Sequence, residues 1–487
     1  MPETVNVLFL AAEAEPFIKV GGLGDVAGSL PRFLRTLRPE AAGGPSPDVR
    51  LVLPMHSVIR SNRTGLRPLL VFPVRHQSGS ISVQAFVTDL DGMPVYLLDA
   101  APIARSGSVY STNPSLDAEK YTFFSLAALE LTRRIEWKVN VIHANDWHTA
   151  LACYALLLRR REGEHVGVVS VLTVHNLPFT GPDVHSLLAG YSLAEVRTGL
   201  PGWASTKPLP LGIWAADAIV AVSPTYAQEI QTGEFGIGLQ DYLRARRESL
   251  HGILNGIDAE SFNPALDPAI ASNFGTPTID RRAQNKRALQ IRVGLPDNAD
   301  IPLIGVVSRL DPQKGTDLLA PALRRLRDTD WQVIVLGTGQ PRLERALKRL
   351  EQAFLNRMRV ELRYDAGLAR QIFAGADILL MPSRYEPCGL AQMIAMRYGC
   401  LPVVSQVGGL KDTVLDGKTG FVMGKPTAAR IASATQRAML LFADKPAWRL
   451  MQQNAMSQDF SWSASALQYL ELYRTLLRQV QPSGPPE

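Results

Sequence analysis

The first strand of this chain and the loop after it set the interpretation of everything that follows. The apolar run VNVLFLAA (residues 5–12) leads into IKVGGLGD (residues 18–25), which holds a lysine and three glycines. Such an apolar run is typical of a buried strand. Glycines between a strand and a helix let a ligand approach main-chain N–H groups, and a lysine adds positive charge. The stretch therefore predicts either an anion-binding loop or a tight turn with Lys19 in solvent.

Two familiar phosphate-binding motifs do not fit this loop. A P-loop, G-x-x-x-x-G-K-[ST], needs its lysine after the glycines, whereas Lys19 precedes them. The dinucleotide fingerprint G-x-G-x-x-G also fails, because Gly22, Gly24 and Gly28 leave one residue too many before the third glycine. The loop alone does not identify a ligand.

Apolar, β-branched runs alternate with helical patterns through both halves of the chain. Those runs cover residues 49–54, 95–100, 139–146, 166–176 and 218–223 in the first half and 302–308, 331–337, 359–364, 377–383 and 401–405 in the second. Strands alternating with helices predict an α/β protein with doubly wound parallel sheets. Residues 71–87 lack an intervening helix and predict a local antiparallel excursion.

Length and composition favour two large domains. A chain of 487 residues exceeds what one core usually serves, given about 150 residues per domain. Residues 255–280 are rich in Asn, Asp, Pro and Ala, which predicts a linker and a hinge. Residues 461–480 have apolar side chains at helical spacing and predict a last helix that needs a surface to pack on.

Charge and cysteine usage exclude several classes of protein. The net charge of +6, from 51 basic and 45 acidic residues, includes no dense basic block interleaved with aromatics, so no nucleic-acid partner is predicted. Cys153, Cys388 and Cys400 are scattered, which favours reduced thiols and no metal site. No apolar run reaches the roughly 18 residues of a membrane span and no signal peptide is visible, so we expect a soluble cytoplasmic protein without a membrane partner.

Polar residues follow the predicted strands in both halves, where ligands of open α/β sheets bind. In the first half, Asp146 and His175 come after two strands. Asp146 has the alternative interpretation of a helix N-cap, and His175 that of a core histidine bonded to a main-chain carbonyl.

In the second half, Arg309 and Lys314 precede a helix that Thr316 is placed to cap. They predict either a solvated loop or a clamp for a diphosphate. Glu386 is either an ordinary first-turn acid or part of the same site. Because polar groups follow so many strands in both halves, the loops of the two domains are predicted to face one cleft.

A family resemblance accounts for these residues together. The motifs KVGGLGDV, NDWH, VHNLPFTG, NGID, RLDPQKG, PSRYEPCGL and GGLKDTV, in this order, resemble those of bacterial glycogen synthases and plant starch synthases. The resemblance runs from about Val5 to Tyr473, nearly the whole chain.

The resemblance implies the GT-B fold, in which two Rossmann-like domains face a central cleft and a C-terminal helix crosses back to the first domain. The implied domains are residues 1–256 on the acceptor side, 257–460 on the nucleotide-sugar side, and 461–487 as crossover helix and tail. The implied activity is retaining transfer of an α-glucosyl unit from ADP-glucose to the non-reducing 4-hydroxyl of an α-1,4-glucan such as glycogen. No cofactor and no metal are expected.

Site residues are carried over by matching motif. The resemblance implies catalytic roles for Glu386, Lys314, Arg309 and His175. It implies donor contacts from Lys19, Gly21, Gly22, Asn255, Tyr364, Cys388, Gly389, Leu390 and Thr413, and an acceptor contact from Asp146. Tyr364 is implied to stack on the base, and the KVGG loop to approach the donor from the opposite domain when the domains close.

Departures from the family pattern leave the donor open. The family usually has Thr where this chain has Val20, often Thr in place of Ala391, and often Gly in place of Arg363. Main-chain N–H contacts survive the first two changes, so we expect activity to be retained. The alternatives are UDP-glucose as donor or a small acceptor such as fructose, as in sucrose-forming relatives, and, from another class, a non-catalytic glucan-binding protein.

Overall fold

The computed structural model describes residues 4–480. These residues form two compact units: one comprises residues 4–256 with 462–480, and the other Ile257–Ser461. Each unit is built around its own sheet, whose strands are flanked by helices. The helices and strands are numbered in chain order.

The first unit contains a nine-stranded sheet in the order β3-β4-β5-β2-β1-β6-β7-β8-β9. Its strands are β1 Asn6–Leu10, β2 Asp48–Pro54, β3 Arg67–His76, β4 Gly79–Leu90, β5 Met93–Asp99, β6 Val141–Asn145, β7 Val169–Val174, β8 Ala218–Ala221 and β9 Leu250–Gly252. All neighbours from β5 to β9 pair in parallel. β8, with the sequence AIVA, is buried along its whole length, as a continuous apolar run predicts.

The predicted antiparallel excursion is confirmed at the edge of this sheet. β3 pairs antiparallel with β4, and β4 pairs antiparallel with β5. β3 alternates exposed and buried residues toward its end, so one face of the hairpin is open. The class of the fold is unchanged by it.

Helices cover both faces of the sheet in the first unit. They are α1 Gly22–Arg35, α2 Pro39–Ala42, α3 Ser57–Ser61, α4 Ala101–Ala104, α5 Pro114–Leu131, α6 Asp146–Arg161, α7 His185–Gly190, α8 Pro208–Ala215, α9 Pro224–Glu229 and α10 Gln240–Ala245, with single 3₁₀ turns at Gly202–Ala204 and Arg247–Ser249.

The second unit contains a six-stranded, all-parallel sheet in the order β12-β11-β10-β13-β14-β15. Its strands are β10 Leu303–Val307, β11 Gln332–Leu336, β12 Met358–Glu361, β13 Ile378–Met381, β14 Leu401–Ser405 and β15 Phe421–Met423. Its helices are α11 Arg282–Arg292, α12 Leu319–Arg325, α13 Pro341–Ala353, α14 Ala366–Gly375, α15 Ala391–Arg397, α16 Gly408–Thr413, α17 Ala428–Ala443 and α18 Lys445–Met456, with 3₁₀ turns at Thr276–Arg281, Pro312–Lys314 and Thr316–Leu318.

The predicted linker is packed onto the second unit. Asp267 is buried, and its carboxylate accepts hydrogen bonds from Tyr398 and, at 3.1 Å, from Arg370. Ile270 and Phe274 are also buried. The division between the two units falls between Gly256 and Ile257, within the predicted linker, and a buried charge pair and apolar side chains hold the rest of the segment on the second unit.

The last helix, α19 (Trp462–Val480), belongs to the first unit. Its apolar face joins the core beneath β6 and β7. The Tyr473 hydroxyl hydrogen-bonds the Nδ1 atom of buried His143 at 2.6 Å, and Arg474 donates to the Ala42 carbonyl. The core of the first unit is therefore the surface on which this helix was predicted to pack. The tail at residues 481–487 lies outside the described residues.

Candidate active site

The second unit contributes two loops that leave neighbouring strands. β10 and β13 pair in parallel with Ile304 opposite Ile378, so the chain leaves both strands at the same edge of the sheet. The first loop covers residues 308–318 and the second residues 382–390. Carboxyl ends of parallel strands are where this class of sheet binds ligands.

Lys314 and Glu386 meet across these two loops. The Lys314 Nζ atom lies 2.8 Å from Oε1 and 2.7 Å from Oε2 of Glu386. The Ser383 hydroxyl donates to Glu386 Oε2 at 3.0 Å, and Glu386 is buried. Glu386 lies five residues before α15, so the interpretation as a first-turn acid is wrong. The pair therefore brings the Lys314 ammonium group and the buried Glu386 carboxylate into direct contact.

Arg309 and Tyr364 are more open to solvent. The Arg309 side chain is 61% exposed and pairs with Asp311 at 3.2 Å. Asp311 caps the 3₁₀ turn by accepting from the Lys314 N–H at 3.0 Å, while the Thr316 hydroxyl donates to the Asp311 carbonyl. The expected cap by Thr316 is wrong, because Thr316 is the first residue of a second 3₁₀ turn, whose N-cap is Gly315. Tyr364, at 81% exposure, offers an open ring.

Of the remaining predicted residues of the second unit, three follow Glu386 in its loop and Thr413 ends α16. Cys388 is buried, Gly389 has a φ of +72°, and Leu390 precedes α15. The Thr413 hydroxyl donates to the Gly409 carbonyl at 2.6 Å. Tight backbone packing fixes this region: a Cβ on Gly408, whose φ is +41°, would lie 1.9 Å from the Glu386 carbonyl oxygen, so only glycine fits there.

In the first unit, Asp146 and His175 lie at the ends of neighbouring strands β6 and β7. Asp146 Oδ1 accepts the His175 N–H at 2.7 Å and the Asn176 N–H at 3.3 Å. His175 Nε2 lies 2.9 Å from Asn145 Oδ1, and Asn145 Nδ2 donates to the Leu10 carbonyl at 3.0 Å. Asn145 therefore presents its oxygen to His175, whose Nε2 carries the proton.

Both alternative interpretations of these two residues are wrong. Asp146 is not a helix cap: it is the first residue of α6, with a φ of +52°, and its carboxylate holds the loop after β7. His175 is not bonded through its ring to a main-chain carbonyl, because its Nε2 partner is a side-chain amide.

Burial shifts the pKa values of these groups strongly. Desolvation raises the pKa of Asp146 to about 7, against the effect of its two backbone hydrogen bonds. Desolvation lowers the pKa of His175 to about 3 and that of His143 to about 3, so both imidazoles are neutral at pH 7. Perturbed groups of this kind are common in functional sites.

The KVGG loop is held by a residue that the sequence interpretation missed. Buried Glu13 accepts hydrogen bonds from the main-chain N–H groups of Val20 and Gly21, the latter at 3.1 Å and 3.2 Å, and from the Tyr110 hydroxyl at 2.7 Å. These two N–H groups are therefore engaged by the protein. A buried acid at the end of the first strand, eight residues before a glycine pair, was the signal available.

Lys19 pairs with two carboxylates, whereas Gly22 in the same loop borders open space. Lys19 Nζ lies 3.0 Å from Glu15 and 2.5 Å from Asp25. Gly22 begins α1, and a Cβ there would meet no atom within 4 Å. Asn255 is buried, and its Oδ1 atom lacks a hydrogen-bond partner within the described protein, which leaves an acceptor for a ligand or a water.

Residues 4–480 contain neither a candidate metal site nor a candidate membrane-spanning helix. No group of three or more His, Cys, Asp or Glu side chains in that range is arranged to hold a metal ion. None of the helices in that range combines the length and apolar character that crossing a bilayer demands.

Comparison with known proteins places these motifs in one family. Residues 6–245 match the starch synthase catalytic domain, and residues 301–440 match glycosyl transferases group 1. The chain is 39% identical to the glycogen synthase of Streptococcus gordonii, over 97% of this chain and 100% of that one. It is 38% identical to the glycogen synthase of Thermotoga maritima, over 98% and 100% respectively.

Solved structures agree. The catalytic domain of starch synthase IV from Arabidopsis thaliana, bound to ADP and acarbose, superposes with a TM-score of 0.86 at 31% identity, covering 98% of this chain and 100% of that one. A sucrose-phosphate synthase from Thermosynechococcus elongatus, at 19% identity and a TM-score of 0.60, shares the fold. The predicted GT-B fold is confirmed, and the chain belongs to the glycogen synthase and starch synthase family of glycosyltransferases.

Proposed function

We propose that this glycosyltransferase moves an α-glucosyl unit from ADP-glucose to the non-reducing 4-hydroxyl of an α-1,4-glucan, with retention of configuration. The observation that carries the proposal is the Lys314–Glu386 pair on two adjacent loops of the second unit. A relative of the same family was solved with ADP, which supports the adenine nucleotide.

Lys314 and Arg309 would bind the diphosphate. Negative charge grows on the leaving group as the glucosyl–phosphate bond breaks, and cations already in position stabilise it. Each cation pairs with a carboxylate, Lys314 with Glu386 at 2.7 Å and Arg309 with Asp311 at 3.2 Å. On binding, the diphosphate would replace Glu386 as the partner of Lys314, which frees Glu386 to accept hydrogen bonds from the sugar hydroxyls. Main-chain N–H groups near Cys388, Gly389 and Leu390 would assist.

His175 would lie beside the anomeric carbon. Its imidazole is neutral because burial lowers its pKa to about 3, so it adds no positive charge next to a developing oxocarbenium ion. Its backbone carbonyl would face that ion. Asp146 accepts a hydrogen bond from the His175 N–H and so holds the loop that contains His175. Asp146 would lie toward the acceptor.

The matching motifs suggest further donor contacts. Lys19, with Gly21 and Gly22, would contact the diphosphate and sugar. Asn255, with its unpaired Oδ1, would accept a sugar hydroxyl. Tyr364 would stack on the base, and Thr413 would lie next to the donor pocket.

Two alternatives within the fold remain as outcomes of the test. UDP-glucose would replace ADP-glucose if Arg363 favoured uracil. A fructose acceptor would make the enzyme a sucrose-forming type, but the similarity to sucrose-phosphate synthase is at 19% identity and concerns the fold alone. A non-catalytic glucan-binding role is disfavoured by the presence of Lys19, Arg309, Lys314 and Glu386.

The test is a donor and acceptor screen with the purified protein. We expect kcat/KM for ADP-glucose with glycogen to exceed that for UDP-glucose clearly, with no transfer to fructose. The Glu386→Ala variant is the blank. A clear advantage for UDP-glucose would overturn the donor assignment, and transfer to fructose alone would overturn the acceptor assignment. Glycogen binding with no transfer from either donor would support the non-catalytic alternative.

A further inference from the structure

A second ion pair joins the two loops that carry Lys314 and Glu386. Arg384 Nη1 lies 2.7 Å from Asp317 Oδ1, and Arg384 Nη2 lies 2.8 Å from Asp317 Oδ2. This is the bidentate arrangement in which arginine binds a carboxylate most specifically. Arg384 Nη1 also donates to the Pro312 carbonyl at 2.6 Å.

The backbones of the two loops are joined at the same place. The Arg384 N–H donates to the Gln313 carbonyl at 2.8 Å, and Gln313 Nε2 donates to the Tyr385 carbonyl at 3.2 Å. A Cβ on Gly315, whose φ is +67°, would lie 2.0 Å from the Pro382 carbonyl oxygen. The loops are therefore in direct contact, and Arg384 spans the junction.

The sequence positions of the pair are informative. Arg384 lies two residues before Glu386, and Asp317 three residues after Lys314. The two ion pairs thus bridge the same two loops, one through the predicted catalytic side chains and one through their near neighbours. When the donor separates Lys314 from Glu386, the Arg384–Asp317 pair is the charged link between the loops that remains.

We infer that Arg384 and Asp317 are positioning residues, whose bidentate pair fixes the spacing at which Lys314 and Glu386 act on the donor. They act through those two side chains and do not touch the substrate. The inference rests on the proposed function for its kinetic consequence. Hydrogen bonds from Arg384 lower the pKa of Asp317, so the pair stays ionised at neutral pH.

A positioning role and a purely structural role predict different results. The side chains of Arg384 and Asp317 are 41% and 33% exposed, and pairs this open to solvent contribute little to stability. Displacing a catalytic group by about 1 Å, in contrast, costs roughly a hundredfold in rate. The positioning role therefore predicts a loss of kcat with little loss of stability.

The chain offers a matched control in the same unit. Arg437 in α17 pairs with Asp416 at 2.6 Å, with side-chain exposures of 47% and 50%. Neither residue lies in the loops at 308–318 or 382–390. Arg437→Lys therefore repeats the chemical change of Arg384→Lys on a comparably exposed pair outside the site.

The first experiment compares Arg384→Lys, Asp317→Asn and Arg437→Lys with the unaltered enzyme. We expect kcat with ADP-glucose and glycogen to fall roughly ten- to a hundredfold in the first two, with KM for ADP-glucose changed less than about threefold. Their melting temperatures should stay within about 3 °C of the unaltered protein. Arg437→Lys should match the unaltered enzyme in all three quantities. Unchanged kcat in the first two variants, an equal loss in the control, or a loss accompanied by a large fall in melting temperature would overturn the inference.

A second readout does not depend on transfer activity. Acylation of Lys314 by an amine-reactive reagent, followed by peptide mass spectrometry, should be severalfold faster in Asp317→Asn than in the unaltered protein, because the loops no longer hold Lys314 against Glu386. An unchanged rate would overturn the positioning role. If the unaltered protein transferred no glucose, the proposed function would fail while the labelling rate still decided this inference.

Discussion

The two units share a doubly wound architecture but differ in the ionisable groups at two neighbouring strands of each sheet, β6 and β7 in the first and β10 and β13 in the second. All eight histidines of the chain lie between His56 and His251, in the first unit, and residues 257–461 contain none. In and after β6 and β7 of the first sheet, burial keeps the histidines neutral, as His143 and His175 show. After β10 and β13 of the second sheet, acids and bases are paired, as Lys314 and Glu386 are.

This difference matches what each unit is proposed to meet. A diphosphate needs cations, and a cation held by a carboxylate stays charged until the ligand replaces that carboxylate. A cationic group would repel the carbon that becomes positive in the transition state. A buried imidazole, which stays neutral, avoids this repulsion. The fold is common to both units, whereas the electrostatics belong to their loops.

The largest expected effect is on the stability of the first unit in acid. The pKa of His56 is lowered to about 4, those of His143 and His175 to about 3, and that of His148 well below its usual value, all mainly through burial. A histidine with a depressed folded-state pKa stabilises the protein above about pH 6.5 and loses that contribution as pH falls. For each of His56, His143 and His175, the free energy of unfolding falls by about 2 kcal/mol between pH 7.5 and pH 5. Asp146, with its pKa raised to about 7, opposes this by a similar amount because its folded form gains a proton.

Hydrogen exchange resolved by peptide measures this directly. We expect the opening free energy of β6 and β7 to fall by several kcal/mol from pH 7.5 to pH 5, after correction for intrinsic rates, while β10 and β13 change much less. In His143→Gln this pH dependence should be weaker, and in His185→Gln, whose side chain is 61% exposed, it should be unchanged. Equal losses in both units would remove the contrast between them.

The next largest effect tests the charged pair of the second unit. Lys314→Ala and Glu386→Ala should each lower glucosyl transfer roughly a hundredfold or more, because each removes a group that acts on the donor in the transition state. Circular dichroism and melting curves should show an intact fold. Turnover at the unaltered rate in a well-folded variant would remove that residue from the mechanism.

A smaller effect is expected at the base-binding end of the same unit. Tyr364 is remote from the breaking bond, so stacking on it should contribute to ground state and transition state alike. Tyr364→Ala should raise KM for ADP-glucose by a factor that corresponds to roughly 1–2 kcal/mol, with kcat little changed. Tyr364→Phe is the matched control and should behave as the unaltered enzyme. A loss confined to kcat would contradict this role.

The smallest expected effect is that of removing metal ions. Arg309 and Lys314 already supply two cations for the diphosphate, so transfer should not need a divalent ion. Enzyme treated with EDTA should keep its rate, and added Mg²⁺ should not raise it. Activity lost on chelation and restored by Mg²⁺ or Mn²⁺ would show that the two side chains are insufficient.

The sequence predicted the sheets well because their signal is local. Continuous apolar runs such as those of β8 and β13 are typical of strands that are buried on both faces. The packing of residues 257–281 was missed, because the burial of Asp267 depends on Arg370 and Tyr398, more than a hundred residues away. No local pattern reports such a partner.

The candidate site shows the same division. The motifs predicted that Lys314 and Glu386 belong to one site. They did not predict that the two side chains, 72 positions apart in the sequence, bond to each other. Glu13, Asn145 and Arg384 were missed because their importance lies in which loop they hold, which only the folded chain displays. Asn145 and Arg384 belong to the motifs NDWH and PSRYEPCGL, but a motif does not tell which of its residues holds a loop and which is placed to contact a substrate.

The most direct test of the proposed activity is proton NMR of the reaction between ADP-glucose and a maltooligosaccharide. We expect a growing anomeric signal of new α-1,4 linkages at the non-reducing end, in step with the release of ADP, from the unaltered enzyme and not from Glu386→Ala. A β-linked product, a linkage to another hydroxyl, or release of free glucose without chain growth would contradict retaining transfer to the 4-hydroxyl.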